Sequence, residues 1–344
     1  MPTFDWQSFS VWVVVALFAA ILSYFSCLRA MSIARRSGMI AKPGARQSHK
    51  LATPTGGGLG IIFSIIMTPV FIQLFVPLPR FWWQYVLPGI VLLGIIGWRD
   101  DKLSVSSLVR LLVQLAVSLW LLGFFPFQFL LSELVVFTGT IVAVIWMMNL
   151  YNFMDGSNGM AGFQGVFAGL IFTVLFHTED QQAMALISLV VASACAGFLP
   201  LNFPRARVFM GDVASVPLGF VFASLAVYGI KTGVLSLPVA ILIMSVFFID
   251  ATLTLLARAI RGERWYTAHA QHVYQKLIAQ GWSHRRVLVV YQTVNVILVL
   301  PAIVLAKMYS QFAFVIAGFV LILLGACWHI ANRRLGMLAK MQLK

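Results

Sequence analysis

The stretch Asn149-Leu-Tyr-Asn152-Phe-Met-Asp155-Gly156-Ser-Asn158-Gly159 interrupts a chain that is otherwise almost wholly apolar. An apolar run over 134–148 leads into it and another, over 160–176, follows. Between them stand three asparagines, one aspartate and two glycines. Polar groups beside a hydrocarbon region are costly unless they have partners, so the stretch reads as a functional site. The alternative is a polar turn between helices, with Asx hydrogen bonds and glycine caps.

Composition supports a membrane setting. Hydrophobic residues make up 61% of the 344 and charged residues only 10%, where a soluble protein carries about 25% charged. Apolar runs of spanning length recur from end to end, which predicts an all-α polytopic membrane protein and not a barrel of short alternating strands. We place about eleven transmembrane helices near 10–28, 57–76, 84–98, 107–123, 133–149, 160–176, 182–199, 213–229, 234–256, 287–306 and 312–330. The first is expected to be a retained helix and not a signal peptide, because no basic region or small-residue cleavage site accompanies it. Cys27, Cys195 and Cys327 sit singly in apolar segments and form no metal motif.

The net charge of +14 raises nucleic acid as a partner, but its distribution argues against that. With loops numbered from the N-terminus, the odd loops and C-terminal tail hold 21 of the 24 Lys and Arg; the rest are Arg80, Lys231 and Lys307. The positive-inside rule then predicts a periplasmic N-terminus, a cytoplasmic C-terminus and cytoplasmic odd loops. The whole chain, 1–344, reads as a single transmembrane catalytic domain, with 257–286 as a large cytoplasmic loop.

Each odd loop has its own chemistry. Loop 1 carries Arg29, Arg35, Arg36, Lys42, Arg46 and Lys50 with no acidic residue, which suits orientation, anionic lipid or an anionic substrate. Gly56-Gly57-Gly58 follows it, permitting close backbone approach but matching no dinucleotide or phosphate-loop fingerprint. Loop 3 brings Asp100-Asp101 between Arg99 and Lys102. Paired carboxylates favour a cation between them, and Mg2+ takes oxygen ligands while bridging phosphates. In loop 5, Asn149 and Asn152 share a helix face if the preceding span continues that far. Loop 7 adds Arg205, Arg207 and Asp212, the last read either as a site residue or as a helix cap. Asp250 lies near the cytoplasmic end of its span, able to reach the same site or to pair with Arg258. Loop 9 carries Arg264, His269 and His272; the histidines, three apart, would face one way on a helix. Beside so many cations, phosphate binding suits them better than a soft metal, with a polar surface helix as the alternative.

Together these motifs resemble the polyprenyl-phosphate N-acetylhexosamine-1-phosphate transferases, of the glycosyltransferase family 4 type. The resemblance rests on Asp100-Asp101, Asn149 to Gly159, Phe209-Met-Gly211-Asp212-Val-Ala-Ser215 and Ala268-His269-Ala-Gln-His272. Arg46-Gln-Ser-His49-Lys50 and Pro54-Thr-Gly56-Gly57 look similar too, so that the likeness spans roughly 30–280. The pattern looks closest to the branch that begins O-antigen units of bacterial lipopolysaccharide.

The resemblance implies a fold of ten or eleven helices with a cytoplasmic active site in the bacterial inner membrane. It also implies transfer of a sugar-1-phosphate from a UDP-N-acetylhexosamine-type sugar to undecaprenyl phosphate, releasing UMP. Mg2+ would be the cofactor, with Mn2+ as the alternative ion. Membrane lipids and a homodimer are the other expected partners; nucleic acid is not. On this reading Asp100, Asp101 and Asp155 are catalytic, Asp100 positioning or deprotonating the lipid phosphate. Asp212 is the first metal ligand and Asp101 the second. Asn149, Asn152, Asn158, Lys50, Arg205, Arg264, His269 and His272 bind substrate. Two positions depart from many relatives: Asn158 stands where a second aspartate is common, and Ala214 where glycine is. Asn158 can offer an oxygen or a hydrogen bond but cannot act as a base.

A MurNAc-pentapeptide or plain GlcNAc donor is the alternative within the same chemistry. A secondary transporter is the alternative outside it, but it calls for polar residues at mid-membrane, and here they gather at the cytoplasmic edge. Sugar choice would lie in loop 9.

Overall fold

The computed structural model describes residues 6–41, 52–125, 130–264, 266–267 and 269–342. Its helices are α1 (Trp6–Arg36), α2 (Leu59–Ile72), α3 (Leu87–Leu103), α4 (Ser107–Leu122), α5 (Leu131–Phe153), α6 (Met160–His177) and α7 (Gln182–Asn202). They continue with α8 (Asp212–Lys231), α9 (Leu237–Ile243), α10 (Ser245–Ile260), α11 (Val273–Ala279), α12 (His284–Val294), α13 (Leu300–Met308) and α14 (Ala313–Gln342). A wider-wound turn, Phe81–Val86, leads into α3, and another, Asn295–Val299, joins α12 to α13. The described strands are two dipeptides, β1 (Ile40–Ala41) and β2 (Thr53–Pro54), paired antiparallel.

Every one of the eleven expected segments falls on a helix. Among the described residues eight are long and apolar enough to cross a membrane, and α9 with α10, bent by 81° between them, is a ninth if the pair counts as one span. Leu59–Ile72 and Ser107–Leu122 are apolar but shorter. The protein is therefore an all-α, multi-pass membrane protein. The expected span over 133–149 is the one whose end moves in a way that matters: α5 runs on to Phe153 and carries Asn152 with it.

Helix α8 sits at the centre, packed against α3 and α5 and touching α2 and α6. Small residues let these backbones meet. A methyl group at Gly97 of α3 would overlap the backbone of Asp212 and Val213, and one at Gly219 of α8 would meet Met147 and Met148 of α5. Along α6, Gly165 faces Cys195 and Gly169 faces Ala192 on α7, so these glycines serve packing. Buried hydroxyls find backbone partners: Ser23 Oγ donates to Ala194 O at 2.7 Å and Ser64 Oγ to Ala19 O at 2.8 Å.

The connections sort into two groups by contact. Lys307 Nζ, in loop 10, donates to Glu179 Oε1 in loop 6 at 2.7 Å and to Val234 O in loop 8 at 2.8 Å. Lys231, at the end of α8, lies 5.8 Å from the Phe125 ring in loop 4. Even loops thus touch even loops. The odd loops meet at one cavity.

Candidate active site

The cavity begins at the end of α5. Asn152 lies in its last turn, the chain turns through an Asp155 N–H to Asn152 O bond of 3.1 Å, and α6 starts at Gly159. Gly159 has φ +77°, a conformation that glycine adopts without strain. Gly211, at φ +78°, does the same before α8, whose first helical residue is Asp212.

Carboxylates gather at this helix start. Asp101, from the end of α3, accepts from the backbone N–H of Asp212 at 3.1 Å and of Val213 at 3.3 Å. It thus satisfies two amides that a helix leaves open at its N-terminus, where the helix dipole also favours negative charge. Asn152 Nδ2 donates to Asp212 Oδ1 at 2.7 Å and to Ser215 Oγ at 2.9 Å. Arg110 Nη1 bridges Asp100 Oδ2 at 2.7 Å and Asp212 Oδ2 at 3.3 Å. Asp212 is therefore held from two sides before any substrate arrives, which is the preorganisation a charge-stabilising site needs.

A cavity of about 310 Å³ opens over these groups. Ala41 and Thr55 line it from loop 1, Asp101 from loop 3, and Asn152, Asp155, Ser157 and Asn158 from loop 5. Asn202, Gly211 and Asp212 come from loop 7, and Tyr274, Gln275 and His284 from loop 9. Loop 1 is tied to loop 7 through its glycines: Gly57 N–H donates to Phe209 O and Gly58 N–H to Met210 O, both at 2.9 Å. Gly58 also lies so close to Ala214 that a second methyl group could not fit. The absent side chain at Gly58 thus leaves room for the Ala214 methyl group.

One end of the cavity is acidic and the other neutral and polar. Burial, then the charges of Asp212 and Asp101, push the Asp155 carboxyl well above the usual carboxylate range. At the other end His284 Nδ1 lies 2.9 Å from Ser157 Oγ and 3.4 Å from the Asn158 N–H, which can only donate to it. Asn158 Nδ2 donates to Pro204 O at 3.2 Å, and Asn202 Oδ1 accepts from Gly159 N–H at 2.6 Å.

Of the residues expected to act, Asp101, Asp155, Asp212, Asn152 and Asn158 come together. Others do not. Asp100 does not line the cavity; its oxygens take Arg110 and, at 2.6 Å, the Val105 N–H. Asn149 lies deeper and donates to Gln114 Oε1 and Ile145 O, both at 2.8 Å. His269 and His272 are not on a helix: they precede α11, and neither lines the cavity. Their rings are nevertheless neighbours, with centroids 4.9 Å apart, and His272 is buried. Arg205 and Arg264 are exposed and stand outside the lining. Lys50 falls outside the described residues, as does Arg46-Gln-Ser-His49. Asp250 neither reaches the cavity nor pairs with Arg258, which instead takes Glu263 at 3.0 Å.

The sequence reading passed over Arg110, Tyr274, Gln275 and His284. Arg110 had a signal, as the lone charge in the span over 107–123. The other three had none beyond their place in loop 9.

Burial, then the nearness of His272 and of the Arg258 charge, lower the His269 pKa from 6.5 to about 4. The folded chain therefore holds this imidazole neutral where the unfolded chain protonates it. Stability at this point is full above pH 6.5 and falls as pH drops toward about 4. We expect His269→Gln to lose less melting temperature than the wild type between pH 7 and pH 4.5. Equal losses would show that His269 does not titrate this way.

The donor set at the acidic end suits a hard dication. Asp101, Asp155 and Asp212 all offer carboxylate oxygens here; Asp101 accepts from the α8 amides and Asp212 from Asn152 and Arg110, and each carboxylate keeps lone pairs beyond those bonds. Among the described residues no three of His, Cys, Asp and Glu converge at ligand distance. Mg2+ commonly takes one or two carboxylates and completes its shell with water and substrate phosphate, so the test of this donor set is its oxygen chemistry and not a cluster of protein ligands.

Fold and cavity thus define a multi-pass helical membrane protein with an acidic cavity where its odd loops meet. Residues 83–230 match the model described as Glycosyl transferase family 4, a segment that contains Asp101, Asn152, Asp155 and Asp212. The chain is 28% identical over 324 residues to Decaprenyl-phosphate N-acetylglucosaminephosphotransferase of Mycobacterium tuberculosis, covering 83% of this chain and 80% of that one. It is 26% identical over 306 residues to Probable undecaprenyl-phosphate N-acetylglucosaminyl 1-phosphate transferase of Bacillus subtilis, covering 85% of each. Phospho-N-acetylmuramoyl-pentapeptide-transferase of Bacillus pumilus is 29% identical over 288 residues, covering 73% of this chain and 84% of the relative.

Proposed function

We propose that the protein transfers an N-acetylhexosamine-type sugar-1-phosphate from a UDP-sugar to undecaprenyl phosphate, giving undecaprenyl-diphosphate-sugar and UMP. The single observation that carries this is the meeting of Asp101, Asp155, Asp212 and Asn152 at one cavity walled by all the odd loops. The similarity to three sugar-phosphate transferases supports the reaction class. We further place eleven spans with the N-terminus periplasmic and the site on the cytoplasmic face of the inner membrane; the 21 of 24 basic residues on the odd-loop side support this orientation. The product would begin an O-antigen unit of lipopolysaccharide.

In the reaction an oxygen of the lipid phosphate attacks the β-phosphorus of the UDP-sugar. A new phosphorus–oxygen bond forms, the bond from the β-phosphorus to the bridging oxygen breaks, and UMP leaves with that oxygen. A phosphate monoester is already largely ionised at neutral pH, so no side chain need remove a proton. This agrees with Asp100 being engaged elsewhere. Asp212, with Asp101 and Asp155 beside it, would hold Mg2+, which when bound would supply charge neutralisation to the diphosphate. Asn152 and Arg110 keep Asp212 in place, Asp101 fixes the start of α8, and Asn158 offers a neutral amide to the donor.

Purified protein in detergent, given undecaprenyl phosphate and a panel of UDP-sugars, is expected to release UMP with one donor and to stop when EDTA removes the metal. Restored Mg2+ should restore the rate. Turnover unaffected by EDTA would contradict the metal assignment. No UMP with any donor from folded protein would contradict the reaction.

A further inference from the structure

Asp250 is a buried carboxylate that the proposed reaction does not use, and five groups point at it. It lies inside α10, and Oδ1 accepts from the Val273 N–H at 2.9 Å while Oδ2 receives the Tyr274 N–H at 3.4 Å. Those amides are the open N-terminus of α11, whose dipole favours the charge. Tyr291 Oη, from α12, donates to Oδ2 at 2.6 Å, and Thr254 Oγ1, one turn along α10, to Oδ1 at 3.3 Å. His272 Nδ1, buried and with no hydrogen-bond partner, lies 4.0 Å from Oδ1. One side chain thus ties together α10, α11 and α12.

The tie has a direct consequence for the cavity. Tyr274 and Gln275, the residues that loop 9 contributes from α11, belong to the same first turn that Asp250 holds. Tyr274 Oη reaches across to donate to Phe153 O at 2.8 Å, and Gly156 lies so close to that hydroxyl that a methyl group would overlap it. Gln275 Oε1 accepts from the His272 N–H at 3.2 Å. Moving the start of α11 therefore moves one wall of the cavity against loop 5.

Resting on the transferase reading above, we propose that Asp250 is a positioning residue: it seats the Tyr274–Gln275 wall and thereby sets the binding of the soluble sugar nucleotide, without touching it. The Asp101–Asp212–Asn152 part of the acidic end, built by α3, α5 and α8, is held by hydrogen bonds of its own. Loss of the tie should therefore weaken donor binding more than it slows the bound complex.

Asp250→Asn and Tyr291→Phe are compared with the wild type in the purified full-length protein. For Asp250→Asn we expect the KM for the UDP-sugar to rise about tenfold or more, since several hydrogen bonds to a charged acceptor are weakened at once. The kcat should fall less than the KM rises, and the KM for undecaprenyl phosphate should stay within about twofold. Tyr291→Phe, which removes one O–H and keeps the carboxylate, should shift the donor KM the same way by a smaller factor. Hydrogen exchange gives a readout independent of turnover: the amides of Val273 and Tyr274 should exchange at least about tenfold faster in Asp250→Asn. If Asp250→Asn fails to fold, Tyr291→Phe carries both measurements. An unchanged donor KM, or kcat falling alone, would overturn the proposal, as would unchanged exchange at Val273 and Tyr274. Failure of the transferase reading would look different: the wild type itself would turn over no donor while the exchange result still stood.

Discussion

Asp212→Asn is expected to reduce sugar-phosphate transfer by about 10²–10³-fold or more, the range seen when a preorganised electrostatic group is removed. The protein should remain folded in the membrane. An amide keeps the size of the side chain and can still accept the Asn152 Nδ2 hydrogen bond at its oxygen, but it cannot keep the ionic contact with Arg110. It also removes one of the three carboxylates that line the cavity. The effect should fall on kcat, because what is lost is stabilisation of charge at the phosphoryl group in transfer. Gel-filtration behaviour and melting temperature report the fold, and the rate of UMP release reports the chemistry. Wild-type turnover in this variant would remove Asp212 from the mechanism.

Gly97→Ala should be as damaging by a different route. The new methyl group has no flexible side chain to displace, because the atoms it would overlap are the backbone of Asp212 and Val213. Helix α3 must therefore move away from the start of α8. Overpacking of this kind typically costs about 1–3 kcal/mol, and here the displacement falls on the site itself. Asp101, one helical turn beyond Gly97, would lose its hydrogen bonds to the Asp212 and Val213 amides. We expect activity to fall at least about 10²-fold, together with a lower melting temperature. Gly139 of α5, where a methyl group would meet nothing within 4 Å, is the matched control. Equal behaviour of Gly97→Ala and Gly139→Ala would mean that the α3–α8 contact is not what holds the site.

Much of this was legible in the chain. Long apolar runs give the helices because a spanning segment needs length and apolarity more than any particular residue. The acidic and asparagine-rich loops were legible because polar residues at a membrane edge need a reason. Their convergence followed from the parity of the loops. What the sequence did not give was direction. Asp100 and Asp101 are adjacent on α3, and successive helical residues point about 100° apart, so both could not face one cavity. Asp101 took the α8 amides and Asp100 took Arg110. Asn149 and Asn152 do share a side of α5, but three residues of rise, about 4.5 Å, set Asn149 too deep. It meets Gln114 there.

Loop 9 was the hardest to read. The spacing of His269 and His272 suggested a helix, yet α10 stops at Ile260 and α11 starts only at Val273. Gly262, with φ +71°, turns the chain between them. The start of α11 is then fixed by Asp250, a residue 23 positions earlier. No local pattern could announce that partnership. For the same reason Tyr274 and Gln275 reach the cavity although the histidines drew attention first.

The most direct test of the central claim follows the β-phosphate. Purified protein, undecaprenyl phosphate and a UDP-N-acetylhexosamine labelled with phosphorus-32 at the β position are incubated with Mg2+, and lipid and aqueous phases are separated. Transfer of sugar-1-phosphate predicts label in the lipid phase, matched one for one by unlabelled UMP in the aqueous phase. Label retained in aqueous UDP while the sugar moves to lipid would show simple glycosyl transfer, and would contradict the account.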